Sequence, residues 1–254
     1  MLLYGDYHVH SKYSKHMRGV GTILQNASVA SDKGLKQIAI TDYGFANSFF
    51  GIKRQELPLM KEDALNAKEV TGVDVLVGIE ANLISLNGLI DLNEEDFDNL
   101  DVVLVGLNKF VTMDRMKDKY MLNYANSLRK IFKSGKERTN RNTTAFLKTL
   151  DRYPIDVLTH LNYGFETDTI AIAKMAKQKG VMIELSGKHL AFTDEEIQIM
   201  ASEGVKFILS SDARKPEDVG EVDNGLNLIF KYNIPLSQVV NVDKFPKFSA
   251  KRGL

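Results

Sequence analysis

The stretch GDYHVHSKYS at residues 5–14 decides how this chain is read. It sets His8 and His10 two residues apart on what reads as the first strand. Residues i and i+2 of a strand point the same way, so both imidazoles are presented on one side. The chain has only 5 histidines, and two of them stand here. Imidazole combined with carboxylate suits zinc, iron or manganese. The question running outward from this stretch is whether other strands end in the missing partners.

Short β-rich runs recur at 2–8, 37–41, 75–80, 102–106, 156–160, 181–185 and 206–211. They are rich in Val, Ile and Leu and often apolar throughout, the pattern of parallel strands buried on both faces. Amphipathic stretches lie between them, such as TILQNASVASDKG, TDTIAIAKMAKQKG and TDEEIQIMASEG. The last two begin with Thr or Asp suited to an N-cap, and all three end on a Gly suited to a C-cap. Alternating strand and helix predicts a parallel α/β architecture. The strand ends carry groups able to bind or polarise: His8 and His10, Asp42 and Tyr43, Glu80, Asn108, His160, Glu184, and Asp212 with Arg214. Ends of many strands converge only if the strands close into a ring. The expectation is therefore a seven-stranded (β/α)7 barrel rather than an open sheet. Asp6 shares strand parity with the two histidines and is a candidate to hold one of their ring N–H groups.

No linker, repeat or low-complexity tract divides the 254 residues, which predicts one domain over 1–254 with a basic insertion at about 109–141. The 33 basic and 33 acidic residues balance, giving no global signal for nucleic acid or an anionic membrane. Without cysteine there is no disulfide, thiolate zinc site or cysteine nucleophile. Residues 1–10 have no basic n-region or long apolar h-region, and no apolar run approaches the roughly 20 residues of a membrane span. A cytoplasmic protein with no nucleic-acid or membrane partner is expected; oligomeric state leaves no mark. Between Lys109 and Arg141 stand 10 Lys/Arg and 3 Asp/Glu. This segment reads either as a solvated basic helix face or as a lid that draws an anionic substrate to the barrel mouth.

The motifs DYHVHSKYS, AITDYGF, VGIEAN, THLNYG and SSDAR, in this order, resemble the PHP family, named for its polymerase-associated and histidinol-phosphatase members. GIEANLISLNGLIDL, FDNLDVVLVG and VVNVDKFPKFSAKRGL resemble its compact YcdX-like phosphatase branch. The resemblance implies a distorted seven-stranded barrel with up to three metals at its mouth, and hydrolysis of phosphate esters. It implies a first metal position at His8, His10, Glu80 and Asp212, all present. The second would use Glu80 and His160, but Asn108 stands where a His is expected. The third would use His16, but the family's TDH is TDY here, giving Tyr43, and its final D-x-H is DAR, giving Arg214.

One cation on two imidazoles and two carboxylates has a full donor set. A second is weakened by a neutral amide, and a third is opposed because Arg does not deprotonate. One or two divalent ions are therefore expected. Arg214 restores positive charge and its planar fork binds phosphate in a bidentate way. Lys109, Lys188 and Asn108 complete the expected substrate site, with Tyr43 or Asp42 assisting proton transfer. The leading reading is a metal-dependent phosphoesterase acting on a small anionic ester. The alternatives are a degenerate barrel that binds an anionic ligand without turning it over, and a mononuclear amidohydrolase-type enzyme. His189 reads as a rim residue, and Glu184 as a group orienting a ligand or satisfied by backbone N–H groups.

Overall fold

The computed structural model describes residues 1–16, 18–127 and 135–248. Seven parallel strands follow one another in chain order: β1 (Gly5–Val9), β2 (Gln37–Tyr43), β3 (Asp74–Asn82), β4 (Val102–Gly106), β5 (Val157–Leu158), β6 (Met182–Ser186) and β7 (Phe207–Ser210). Each predicted run carries one of them, and the differences at the ends have local causes. The start of the first run leaves the sheet because Leu3 pairs antiparallel with Val242 instead. The fifth strand is short because His160 adopts φ 34°, a left-handed backbone that cannot continue a strand.

The two predicted N-caps and the three glycine C-caps hold, and Thr22 adds a third N-cap. Thr22 accepts from the Gln25 backbone N–H ahead of the Ile23–Asp32 helix. Asp168 accepts from that of Ala171 ahead of Thr169–Lys179, and Thr193 from that of Glu196 ahead of Asp194–Ser202. Gly34, Gly180 and Gly204 close the three helices at φ 79°, 74° and 75°, where a Cβ would be strained.

Strand residues alternate between two apolar layers. Ile38, Ile40, Val77, Ile79, Val103, Val105, Ile183 and Leu209 face the helices. Tyr7, Ala39, Val102, Leu104, Val157, Met182 and Ile208 fill the barrel. The inward register continues upward from this plug. Tyr43, Glu80, Glu184 and Asp212 thus share parity with Ala39, Val102-facing Gly78, Met182 and Ile208. Asp42 falls on the opposite parity, with Ile38 and Ile40.

The barrel closes across one narrow seam. Val9 and Ala213 form a parallel bridge, with His10 N–H donating to the Ala213 carbonyl at 2.8 Å and Ala213 N–H to that of His8 at 3.1 Å. Asp6 does not hold a histidine ring as its parity suggested. It is buried and accepts the backbone N–H groups of Ser211 (3.0 Å) and Gly220 (2.9 Å) and the Ser211 hydroxyl. The reason is a register shift in β1 between Asp6 and Val9. Such a bulge breaks the period of two and re-aims the residues after it. Tyr7 therefore fills the barrel while His8 still enters its mouth.

Within the basic segment, a short helical passage runs from Met116 to Ser127 and a helix spans Gly135–Arg152. Arg129, Lys130 and Lys133 lie outside the described residues. Arg138 meets Glu166 at 3.1 Å and Arg141 donates to the Met121 carbonyl at 3.1 Å. Arg115, Lys117 and Lys119 are exposed. Among the described residues, no helix is long and apolar enough to cross a membrane.

Candidate metal centre

The imidazoles of His8 and His10 and the Glu80 carboxylate bring their ligand atoms within 4.8 Å of one another, all buried. His8 Nε2 and His10 Nε2 lie 3.7 and 3.8 Å from Glu80 Oε2. Asp212 Oδ1 closes on the same two nitrogens at 3.9 and 3.3 Å. None of these four atoms has a hydrogen-bond partner among the described residues. Buried polar atoms without partners are rare and costly, and here four converge. A tetrahedral ion with bonds of about 2.0–2.1 Å holds its donors about 3.3 Å apart. The donor types and spacings fit a divalent cation, and the orphaned atoms are what it would satisfy.

The local backbone sets this up. The bulge of β1 turns His8 inward, and parity on β3 brings Glu80 to the same depth. Asp212 follows β7 at φ 51°, a left-handed conformation that adds strain of about 1–3 kcal/mol and recurs at functional sites. Burial by itself would raise the Glu80 carboxyl, but the His160 hydrogen bond and the neighbouring His8 imidazole outweigh it and hold the group well below its ordinary value. Burial likewise opposes ionisation of Asp212, and the neighbouring His10 and His8 overcome it. Both carboxylates are thus ionised and ready for a cation.

Around the ligands stands a supporting layer. Glu184 Oε1 lies 2.7 Å from His8 Nδ1, while its Oε2 accepts the Thr159 hydroxyl at 2.6 Å and the His160 backbone N–H at 2.7 Å. Both roles weighed for Glu184 are therefore present together. His160 places Nε2 2.7 Å from Glu80 Oε1. Gly106 makes room for that ring, since a Cβ there would sit 2.7 Å from His160 Cε1.

Next to the ligand group, behind Tyr43, Asn108, His160, His189 and Arg214, which touch it, opens a cavity of about 720 Å³ walled also by Arg18, Lys109 and Tyr163 among others. Its cationic lining among the described residues is Arg18, Lys109 and Arg214, and no carboxylate lines it. The basic segment supplies one wall through Lys109, Phe110, Leu122, Asn123, Asn126 and Ser127. Of its described cations, only Lys109 faces the cavity. Tyr43 stacks on His10 with ring centroids 4.4 Å apart, and burial pushes its phenol well above the ordinary range. Arg214 Nη2 lies 3.3 Å from Asp212 Oδ2.

Three expected site residues are placed elsewhere. Asp42 accepts the Ser11 N–H (2.7 Å) and the Ser11 and Ser14 hydroxyls (both 2.5 Å), and stays 3.9 Å from His10 Nδ1. Its outward parity pins the loop after β1 rather than facing substrate. His16 is carried by that loop to an exposed position with φ 52°, its ring 6.4 Å from that of Phe49, and does not join the ligand group. Lys188 is tied to Asp218 Oδ2 at 2.7 Å and the Asp212 carbonyl at 3.0 Å, and is absent from the cavity wall. Two residues gain importance. Arg18 lines the cavity with its guanidinium 4.6 Å above the Phe50 ring; nothing in its sequence context signals this. His189, read as a rim residue, places Nε2 3.3 Å from Asp212 Oδ2 and stacks on Tyr163 at 4.1 Å.

Comparison with known proteins agrees with the barrel fold. A solved histidinol phosphate phosphatase from Lactococcus lactis, complexed with zinc, L-histidinol and phosphate, superposes with a TM-score of 0.64 over 98% of both chains at 15% identity. That likeness is one of fold. Among sequences, the chain is 28% identical over 260 residues to a probable phosphatase of Caldanaerobacter subterraneus, covering 96% of this chain and 89% of the relative. It is 27% identical over 267 residues to a probable phosphatase of Vibrio parahaemolyticus, covering 98% and 94%. The PHP domain pattern matches residues 6–186, from the first histidine strand through β6, and on that match this chain belongs to the PHP domain family.

Proposed function

We propose that this protein is a metal-dependent phosphoesterase acting on a small anionic phosphate ester. The observation that carries it is the set of four orphaned ligand atoms beside a cavity lined by three cations and no carboxylate. His8, His10, Glu80 and Asp212 would hold a divalent ion, zinc or manganese, with iron also suited to the donors. Such an ion supplies Lewis acidity and a lowered pKa for water. Arg214 clamps phosphate oxygens with its fork, helped by Lys109 and Arg18. Tyr43 keeps its phenol proton and so has a hydrogen bond to donate to the leaving oxygen. Asp42 is given no contact with substrate. The domain is read as one barrel over 1–254, working in the cytoplasm. The relatives named phosphatases support the same reading.

Substrate shape is suggested by the rim. Phe49 (52% exposed) and Phe110 (51%) pack edge to face at 5.0 Å, and Tyr163 (49%) stands on His189. Such surfaces favour an ester with a flat organic group. The amidohydrolase alternative is disfavoured by the seven-stranded sheet and by Glu184, which serves His8. The test is phosphate release from a panel of monoesters, with zinc or manganese added, by wild type and by His8→Ala/His10→Ala. Metal-dependent release lost in the double variant supports the enzyme. A folded, metal-loaded wild type that binds phosphate esters but releases none points to the degenerate binder.

A further inference from the structure

We infer that the centre is built for a single ion, because each of its two carboxylates has one oxygen free for metal and the other engaged by the chain. This rests on the metal-dependent reading above and adds the number of ions and the device that fixes it.

Glu80 is divided first. Its Oε2 is the orphaned atom facing His8 and His10. Its Oε1 lies 2.7 Å from His160 Nε2 and accepts the Asn108 amide N–H at 2.9 Å. Asp212 is divided in the same way. Its Oδ1 is orphaned toward the two imidazoles, while its Oδ2 lies 3.3 Å from Arg214 Nη2 and 3.3 Å from His189 Nε2. A centre of two ions about 3.5–4 Å apart needs a ligand shared between them. A carboxylate bridges by giving one oxygen to each ion. Here the second oxygen of each carboxylate faces a donor that has no lone pair to share with an ion, the Asn108 amide N–H on Glu80 and the Arg214 guanidinium on Asp212.

The block on Glu80 is held in place by a relay. Asp91 is a buried carboxylate that accepts the Asn82 backbone N–H and the Asn82 amide Nδ2, each at 2.7 Å, and the Ala46 N–H at 2.8 Å. With Nδ2 drawn to Asp91, Asn82 must present Oδ1 to its other neighbour. That neighbour is Asn108, whose Nδ2 donates to Asn82 Oδ1 at 3.1 Å as well as to Glu80. Asn108 therefore faces two acceptors. Turning its amide over would set its oxygen against Asn82 Oδ1 and take that acceptor's donor away, which opposes offering the carbonyl to an ion beside Glu80 Oε1. Asp91, Asn82, Asn108 and Glu80 form one polarised row, and the row ends in a donor where a bridging metal would need a ligand. On the other flank Arg214 brings a fixed positive charge that repels a further cation.

The experiment is a metal count. Protein stripped by chelator is reloaded with excess zinc, freed of unbound ion, and assayed by elemental mass spectrometry, with folding followed by circular dichroism. His8→Ala/His10→Ala sets the background of surface binding. Wild type should hold one ion above that background, and Asn108→His should hold two. Two or more ions in wild type would overturn the inference and leave the metal-dependent reading standing. No ion above background would remove both. A folded Asn108→His that stays at one ion would show that the relay does not close the second position. Should Asn108→His fail to fold, the wild-type count and its calorimetric titration with zinc still decide the number of ions.

Discussion

Glu184→Gln tests how the metal site is supported, and the structure sets its size. The Glu184 carboxylate touches His8 Nδ1 through one oxygen and the Thr159 hydroxyl and His160 N–H through the other. A proton on Nδ1, held by Glu184, leaves the His8 Nε2 lone pair free to bind metal. Glutamine has one oxygen and one amide nitrogen to fill these places. If the nitrogen faces His8, it forces the other tautomer and puts a proton on Nε2, where the ion belongs. If it faces Thr159 and His160, it meets a backbone N–H at 2.7 Å, and the buried donor loses its acceptor. The second arrangement strands a backbone N–H and is disfavoured in the fold, so the first is expected, and its cost of about 1–3 kcal/mol falls on metal binding. At about 1.4 kcal/mol per tenfold, zinc affinity should fall by roughly 5–150-fold. Competition with a chromophoric chelator measures it, and saturating zinc should still load the variant to the wild-type count. An affinity within threefold of wild type, in a variant whose His8→Ala counterpart has lost the ion, would refute the tautomer argument.

Other perturbations read different parts of the molecule. Arg214→Ala should lower kcat/KM for a phosphate monoester by about 10–150-fold, the value of a charge-assisted bond of about 1.5–3 kcal/mol, with circular dichroism unchanged; an unaltered KM and kcat would take Arg214 out of the substrate site. Gly106→Ala inserts a methyl 2.7 Å from the His160 ring, and denaturant unfolding should show a loss of about 1–3 kcal/mol from overpacking. Tyr163→Ala should raise KM for an aryl phosphate more than for glycerol phosphate, and equal effects on both would remove the stacking role. Burial raises the Asp91 carboxyl above 3.8, against the N–H bonds of Asn82 and Ala46 that lower it. A raised folded-state value means the native protein holds this proton more tightly than the unfolded chain, so its contribution falls as pH rises from 3.8 through the folded value. Denaturation of Asp91→Asn across the acid range should lack that decline.

Much of this was legible because strand ends are marked by abrupt changes from apolar to polar residues. That change located β2, β3, β4 and β6 closely and placed His8, His10, Glu80 and Asp212 among the strand-end groups, from which the family resemblance singled these four out. Parity then failed at β1, where a one-residue bulge has no signature in DYHVH, and Asp6 was assigned to the wrong side. Parity applied to β2 would have separated Asp42 from Tyr43, which end-of-strand position alone cannot do. The orientation of Asn108 was hidden for a different reason. It is fixed by Asn82 and Asp91, 26 and 17 residues away in sequence, through hydrogen bonds that no local pattern encodes. Lys188 and Lys109 look alike as strand-end cations, yet Asp218 captures only the first. The free energy of such captures depends on neighbours supplied by distant loops. Arg18 was overlooked for the same reason, because Phe50, over which it lies, comes from another loop.

The narrow seam between the first and last strands has a further consequence. His8 and His10 lie on one side of it and Asp212 on the other, next to the single bridge of Val9 and Ala213. The ligands thus straddle the line of the cylinder with the fewest paired residues among those described. Any ion they share fastens the chain's two halves as a clasp fastens a collar, and its binding energy is added to the cohesion of the wall. Breathing of the barrel and release of metal become one event. Amide exchange along Gly5–Val9 and Phe207–Ser210 should therefore report occupancy of the centre, even where no substrate is turned over.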